Sequence, residues 1–298
     1  MSEPPATSQD RIRALPIWRG PISIEPMKGG LSNESWLVKD GSGQFVVRFG
    51  KDYGFHHVSR EREIITARAA HAAGFAPEVR YSAPGVMVTR YLGARTYTGE
   101  DVRADIDAIA ETVRRFHQEM PKHVSGAGFM FWPFHVVRDY ARTLEAGNSR
   151  MAHALPGYVA LAEELEAAQT PLPIVFGHND LLPANFLHDG RRLWLIDFEY
   201  AGFSTAMFDL AGIASNASMN DAESKNLLAI YFGAEPSAEI LHSHAAMQCA
   251  SLLREAMWSM VSELYLTAPG ANYVAYTDEN LSKLAAALAA YREKYGKT

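Results

Sequence analysis

Three oxygen-bearing side chains, spaced in a fixed order, carry the most specific chemistry in this sequence. In His178-Asn179-Asp180-Leu181-Leu182-Pro183-Ala184-Asn185 an aspartate precedes an asparagine by five positions, and Leu195-Ile196-Asp197-Phe198-Glu199-Tyr200 follows shortly after. The midpoint of Asn185 and Asp197, position 191, falls beside Asp189-Gly190, a dipeptide that favours a tight hairpin turn. The hairpin should bring Asn185 and Asp197 together at its open end. An amide oxygen beside a carboxylate makes a hard-oxygen pair suited to a Mg²⁺ that also holds a nucleotide's phosphates. Asp180, on the loop before the hairpin, is placed to accept a proton from an attacking hydroxyl. The ordered set matches the requirements of phosphoryl transfer. Taken singly, Asp and Asn are ordinary turn and cap residues; only the order gives the reading its specificity.

A second constellation, Gly29-Gly30-Leu31-Ser32-Asn33, lies at a turn between predicted strands. Paired glycines let a backbone approach a phosphate and offer it N–H donors, although Gly-Gly is also a common hairpin turn. On the strand that follows, Phe45, Val47 and Phe49 share one face and Val46 and Arg48 the other. A cation at Arg48 could reach phosphate oxygens, anchored by Glu63 or Glu61 from the next helix. His56-His57 has no partners at metal-ligand spacing, so zinc finds no support. His117 reads as a packed or capping residue and His178 as a brace for the loop that carries Asp180.

These groups need a scaffold. Ile22 to Phe49 alternates short apolar stretches with turns at Gly29-Gly30 and Asp40 to Gly43, predicting a three-stranded antiparallel meander. Ser59 offers a helix N-cap with Glu61 and Glu63 in the first turn, and Gly74 with Pro77 closes that helix. A further strand region, Val86 to Thr89, follows the Pro84-Gly85 turn. Beyond Tyr91, Ile106, Ile109, Ala110, Val113 and Phe116 recur at helical spacing, and helical stretches surround Tyr140, Leu161 and Leu252. The hairpin from Asn185 to Phe198 is the one clear exception. The expectation is an α+β chain of two lobes: residues 1–90, an antiparallel sheet with one helix that binds nucleotide, and 91–298, a mainly helical lobe with the catalytic loop, metal site and acceptor site. A cleft at such a junction is a common ligand site.

The 298 residues are 48% hydrophobic and 21% charged, with a net charge of 28 − 34 = −6, enough to bury two cores. A single cysteine, Cys249, permits no internal disulfide and no cysteine-built metal site, which fits a reducing cytosol. Met1 to Asp10 is polar with two prolines and lacks the features of a secretory signal. The longest apolar runs fall short of the roughly 18 residues that a membrane span needs. These points predict a cytoplasmic protein. The acidic balance argues against a nucleic-acid partner, which would call for a concentrated basic surface.

From about Ile22 onward the chain resembles the choline/ethanolamine kinase family, within the broader aminoglycoside-phosphotransferase-like kinases. The resemblance rests on Gly29 to Asn33, on His178 to Leu187, and on Leu195-Ile196-Asp197-Phe198-Glu199-Tyr200-Ala201. It implies a bilobal protein-kinase-like fold and transfer of the ATP γ-phosphoryl group to the hydroxyl of a small, cationic amino alcohol. It further implies Asp180 as base, Asn185 and Asp197 on Mg²⁺, Arg48 where protein kinases carry lysine, Glu63 as its partner, Thr89 to Leu92, including Tyr91 and Leu92, as the adenine hinge, and Asp209 as a buried brace. Asp197-Phe198-Glu199 replaces the Asp-Phe-Gly of protein kinases, which fits a small-molecule acceptor. Aromatic rings attract a cation that cannot donate hydrogen bonds, and Tyr200, Trp258, Tyr273 and Tyr276 match such positions; Glu199, Tyr200 and Trp258 would hold the cationic end. Core packing is the competing use of Trp258, because Leu252, Met257, Val261 and Tyr265 recur beside it at helical spacing. Two departures, Glu255 where a second tryptophan aligns and Asn216 where an acid aligns, suit a smaller or primary amine. The rival readings are the same chemistry on an aminoglycoside, thiamine, sugar or amino acid, and a catalytically silent kinase-like binding module.

Overall fold

The computed structural model describes residues 7–27, 34–267 and 271–296. A short helix, α1 (Ser8–Arg13), precedes β1 (Ser23–Pro26), β2 (Glu34–Asp40) and β3 (Gly43–Phe49). After α2 (Arg60–Ala72) come β4 (Val79–Ala83) and β5 (Val86–Arg90), completing a five-stranded antiparallel sheet of order β1-β2-β3-β5-β4. The expected meander is present, with Trp36 opposite Val47 and Ser35 opposite Arg48. The strand at Val79–Ala83 went unpredicted, because Arg80, Tyr81 and Ser82 break an apolar pattern; it pairs with β5 through an irregular register at Val79/Tyr81. The turn at Gly29 to Asn33 lies outside the described residues.

Alternation decides the two faces of the sheet. Phe45, Val47 and Phe49 join Val38, Val86 and Val88 in a small core that Ile12 of α1 closes. Val46 and Arg48 face a cavity on the other side. Ser59 caps α2 through its side chain, as expected.

A short strand β6 (Arg95–Thr96) leads to α3 (Gly99–Ala104), α4 (Ile106–Glu119), α5 (Pro133–Ala146) and α6 (Leu155–Ala167). The face of α4 made by Ile109, Ala110, Val113 and Phe116 is buried. Then follow β7 (Ile174–Gly177), the hairpin β8 (Phe186–His188) and β9 (Leu193–Leu195), β10 (Gly202–Thr205), α7 (Ala206–Asn216), α8 (Asp221–Phe232), α9 (Ala238–Tyr265) and α10 (Tyr273–Tyr295). The hairpin is not the only extended structure in this helical half. β6 adds an edge to it, and β7 pairs antiparallel with β10. Only long-range pairing stabilises strands of two to four residues, so local pattern does not announce them. Among the described residues no helix is long and apolar enough to cross a membrane.

Candidate active site

The loop between β7 and β8 is held from below by one carboxylate. Asp209, buried on α7, accepts the His178 backbone N–H at Oδ2 (2.8 Å) and the Asn179 backbone N–H at Oδ1 (2.7 Å), and His117 Nε2 lies 2.8 Å from the same Oδ2. Burial alone would raise the Asp209 pKa, but the hydrogen bond and charge of His117 and the charge of His178 hold it below the usual carboxylate range. His178 in turn meets the Ile196 carbonyl through Nε2 at 2.9 Å, tying the loop to the hairpin. Both histidines are buried, consistent with bracing roles. Gly177 is needed here, since a Cβ would stand 2.7 Å from Asn179 Oδ1 and 3.2 Å from Asp209 Oδ2. Asn179 takes a left-handed φ of 62°, which asparagine tolerates better than most residues, and its Nδ2 donates to the carbonyls of Tyr200 (3.1 Å) and Gly202 (3.2 Å).

The hairpin forms as its turn predicted and leaves Asn185 and Asp197 at its open end, where both line one cavity. Phe186 pairs with Leu195, and Ile196 N–H donates to the Asn185 carbonyl at 3.2 Å, so Asp197 begins just past the paired end. Asn185 Nδ2 donates to the Asp180 carbonyl at 2.8 Å, which fixes the amide so that Oδ1 remains as its acceptor. Asp197, at a φ of 67°, gives Oδ1 to Arg48 and keeps Oδ2. Among the described residues no three His, Cys, Asp or Glu side chains gather at metal-ligand distances. A cation here would therefore take two protein oxygens and complete its shell with water and phosphate oxygens, the arrangement Mg²⁺ favours. The residues fit that ion.

Arg48 reaches the hairpin from β3. Its Nη1 lies 2.8 Å from Asp197 Oδ1, and its other terminal nitrogen pairs with Glu63. Glu63, not the exposed Glu61, is the helix partner. Sequence reasoning missed Arg60, whose Nη1 meets Glu63 Oε2 at 2.6 Å and Glu199 Oε2 at 2.9 Å. Its i, i+3 spacing to Glu63 was the available signal. Burial would raise the Asp197 pKa, yet the charge and hydrogen bond of Arg48 hold it down, while Glu199 is pushed up by burial and by Asp197.

These groups line one cavity of about 640 Å³, bounded by Val46, Arg48, Thr89, Tyr91 and Leu92 at one end and by Tyr200, Trp258 and Tyr276 at the other. A second cavity of about 490 Å³ lies between α7, α9 and α10 and shares Asp180, Leu182, Arg254, Glu255 and Tyr276 with the first. Asn216 lines the second cavity only. Asp180 thus stands where the two meet. Burial pushes its pKa well above the usual value, Arg254 opposes that shift, and Asp197, Glu255 and Glu199 add to it. A carboxyl with a raised pKa is the better proton acceptor once ionised. Trp258 Nε1 donates to the Tyr200 hydroxyl at 2.9 Å, and the Tyr276 ring stands edge-on to Trp258 at 6.3 Å. Tyr273 lies edge-on to Trp258 at the same centroid distance. Arg254, which sequence reasoning also missed, donates from Nη1 to Glu255 Oε2 at 2.6 Å. An arginine inside an otherwise apolar and small-residue helix face was its only trace.

A family model described as "Phosphotransferase enzyme family" matches residues 23–242. Protein LicA of Haemophilus influenzae is 26% identical over 209 residues, covering 68% of this chain and 61% of that protein. A probable ethanolamine kinase of Arabidopsis thaliana is 28% identical over 208 residues, covering 63% and 54% respectively. The chain therefore spans little more than half the length of these curated relatives. Among solved structures, a choline/ethanolamine kinase family protein from Mesorhizobium loti superposes with a TM-score of 0.76 at 28% identity, covering 94% of each chain.

Proposed function

We propose, from the premise that this chain belongs to the phosphotransferase enzyme family, that it transfers the γ-phosphoryl group of ATP to the hydroxyl of a small amino alcohol of the choline or ethanolamine type. The observation that carries the reading is Asp180, half-buried where two cavities meet, one of which holds both the oxygen pair Asn185 and Asp197 and the wall of Glu199, Tyr200, Trp258 and Tyr276. In this reading residues 1–90 contribute the nucleotide's phosphate contacts through Gly29 to Asn33 and Arg48, and Tyr91 and Leu92, just past that boundary, contribute the adenine contacts. Residues 91–298 contribute the catalytic loop, the metal pair and the acceptor wall.

The attacking hydroxyl docks against Asp180, which orients it and takes its proton as the new O–P bond forms and the bond from the γ-phosphorus to the β,γ-bridging oxygen breaks, ADP departing with that oxygen. Asn185 does two jobs: its Nδ2 holds the Asp180 carbonyl and with it the loop, and its Oδ1 serves the metal. Mg²⁺, when bound by Asn185 and Asp197, supplies charge compensation at the phosphate oxygens. Arg48 adds a fixed cation beside Asp197, anchored by Glu63, so that charge developing on the transferred group meets preorganised partners. The acceptor's positive end lies toward the wall of Glu199, Tyr200, Trp258 and Tyr276, where the carboxylates of Asp180 and Glu255 supply the negative charge that draws it. The names of the relatives support this acceptor class.

ADP release is the readout of choice. Incubated with ATP and Mg²⁺, the protein should release ADP with ethanolamine or choline far faster than with thiamine, an aminoglycoside, a sugar or an amino acid. A faster reaction with any of those four would replace the acceptor class while keeping the phosphoryl chemistry. No release with any acceptor, with nucleotide still bound, would favour a silent binding module.

A further inference from the structure

The acceptor wall is not free to act as an aromatic cage. Tyr200 and Trp258 are only 4% and 8% exposed. The guanidinium of Arg254 sits over the Tyr200 ring, 4.7 Å from its centroid, so that face of the ring already has a cation. His56 stacks on Trp258 at 4.9 Å with 21° between the planes, covering one face of the indole. A trimethylammonium binds by spreading its charge over open ring faces, and two of the three rings nearest the site already have occupants.

What the wall does offer is a carboxylate. Glu255 Oε1 accepts from the Tyr276 hydroxyl at 2.8 Å and Oε2 from Arg254 Nη1 at 2.6 Å. A carboxylate has about four acceptor positions, so both oxygens retain capacity. Its side chain is 28% exposed against 5% for Arg254, and it borders both cavities together with Asp180. Among the described residues Arg254 is the one guanidinium at this junction, against the two carboxyl groups of Glu255 and Asp180.

Resting on the amino-alcohol reading above, we propose that Glu255, fixed by Tyr276 and Arg254, is the specificity-determining residue and selects acceptors whose ammonium carries at least one N–H over quaternary ones. An N–H donor meets a charged acceptor in a directed bond, whereas a quaternary nitrogen leaves that acceptor desolvated and unanswered. Arg254 acts through Glu255 and through Tyr200: it holds the first in orientation and removes the second from use as a cation site.

The test is a methylation series of ethanolamine, N-methylethanolamine, N,N-dimethylethanolamine and choline, with kcat/KM measured for the native protein, Glu255→Gln and Glu255→Asp. The steepest drop, about tenfold or more, falls at the last methyl, where the final N–H is lost. Glu255→Gln lowers kcat/KM for the three N–H-bearing acceptors by about ten- to a hundredfold and for choline by a clearly smaller factor, since choline loses only the attraction of the charge and no directed bond, so the preference narrows. Glu255→Asp restores part of it. Choline used as well as dimethylethanolamine by the native protein, or a Glu255→Gln loss equal across all four, overturns the assignment while leaving the kinase reading intact. If none of the four is phosphorylated but another alcohol is, the amino-alcohol reading falls and this assignment with it. Should Glu255→Gln not fold, the native series and Glu255→Asp still decide.

Discussion

Arg48 and Asp197 stand 149 positions apart in the chain and 2.8 Å apart in space. That contact joins the third strand of the sheet to the end of the β8–β9 hairpin. Glu63 continues the line to Arg60 and Glu199, so both carboxylates that follow the hairpin are tied to arginines. The site is therefore held in shape by alternating charges. An arginine fits this use because its planar fork can serve two carboxylates at once.

Arg48→Met should weaken nucleotide binding and lower kcat/KM for ATP by at least about tenfold, since a hydrogen bond between charged groups contributes about 1.5–3 kcal/mol. It also removes the main influence that holds the Asp197 pKa down against burial. Titration calorimetry with ADP and Mg²⁺ at two pH values measures both effects; native-like affinity at both would remove Arg48 from the phosphate site.

Asp180→Ala should cut kcat by about a hundred- to ten-thousandfold, the usual contribution of a positioned base. ADP affinity should stay close to that of the native protein, because the metal pair and Arg48 are untouched. A variant that turns over at the native rate would show that the proton leaves by another route.

With Asp180 as the proposed base, the acid limb of kcat/KM should report its ionisation in the free enzyme. Burial raises its pKa, so the limb should lie above the ordinary carboxylate value of 3.8. The ionised form is the base, and activity therefore rises with pH through that limb. Arg254 opposes the shift, so Arg254→Met should move the limb to higher pH. An unmoved limb would mean that Arg254 is not the counter-charge of Asp180.

His56 is buried beneath Trp258, with Nε2 2.9 Å from Ser262 Oγ, and burial lowers its pKa from 6.5 to about 3. Its folded pKa lies below its unfolded one. The stability it contributes is complete above about pH 6.5 and is lost as pH falls toward 3. The drop in Tm between pH 7 and pH 5 should therefore be smaller in His56→Gln, which has no proton to gain. Equal drops in the two proteins would show that His56 is not the group responsible.

The most local features were the ones legible in the chain. Asp189-Gly190 announced its hairpin, Ser59 its helix start, and the alternation of Phe45 to Phe49 the two faces of β3. A turn, a cap and a period of two are each decided within a few residues. The order Asp180, Asn185, Asp197 was legible for the same reason, since one hairpin suffices to bring Asn185 and Asp197 together. Pairings between distant segments were decided only by the tertiary structure. Arg60 serves Glu199 because α2 packs beside the hairpin, and Arg254 covers Tyr200 because α9 passes behind the loop. Strands β4, β7 and β10 owe their existence to partners that short-range pattern does not contain. Sequence determined which groups could bind a metal, move a proton or face a cation. Packing decided which of them are already spent on one another, because an ion pair or a stacked ring depends on distance across the fold and not along the chain.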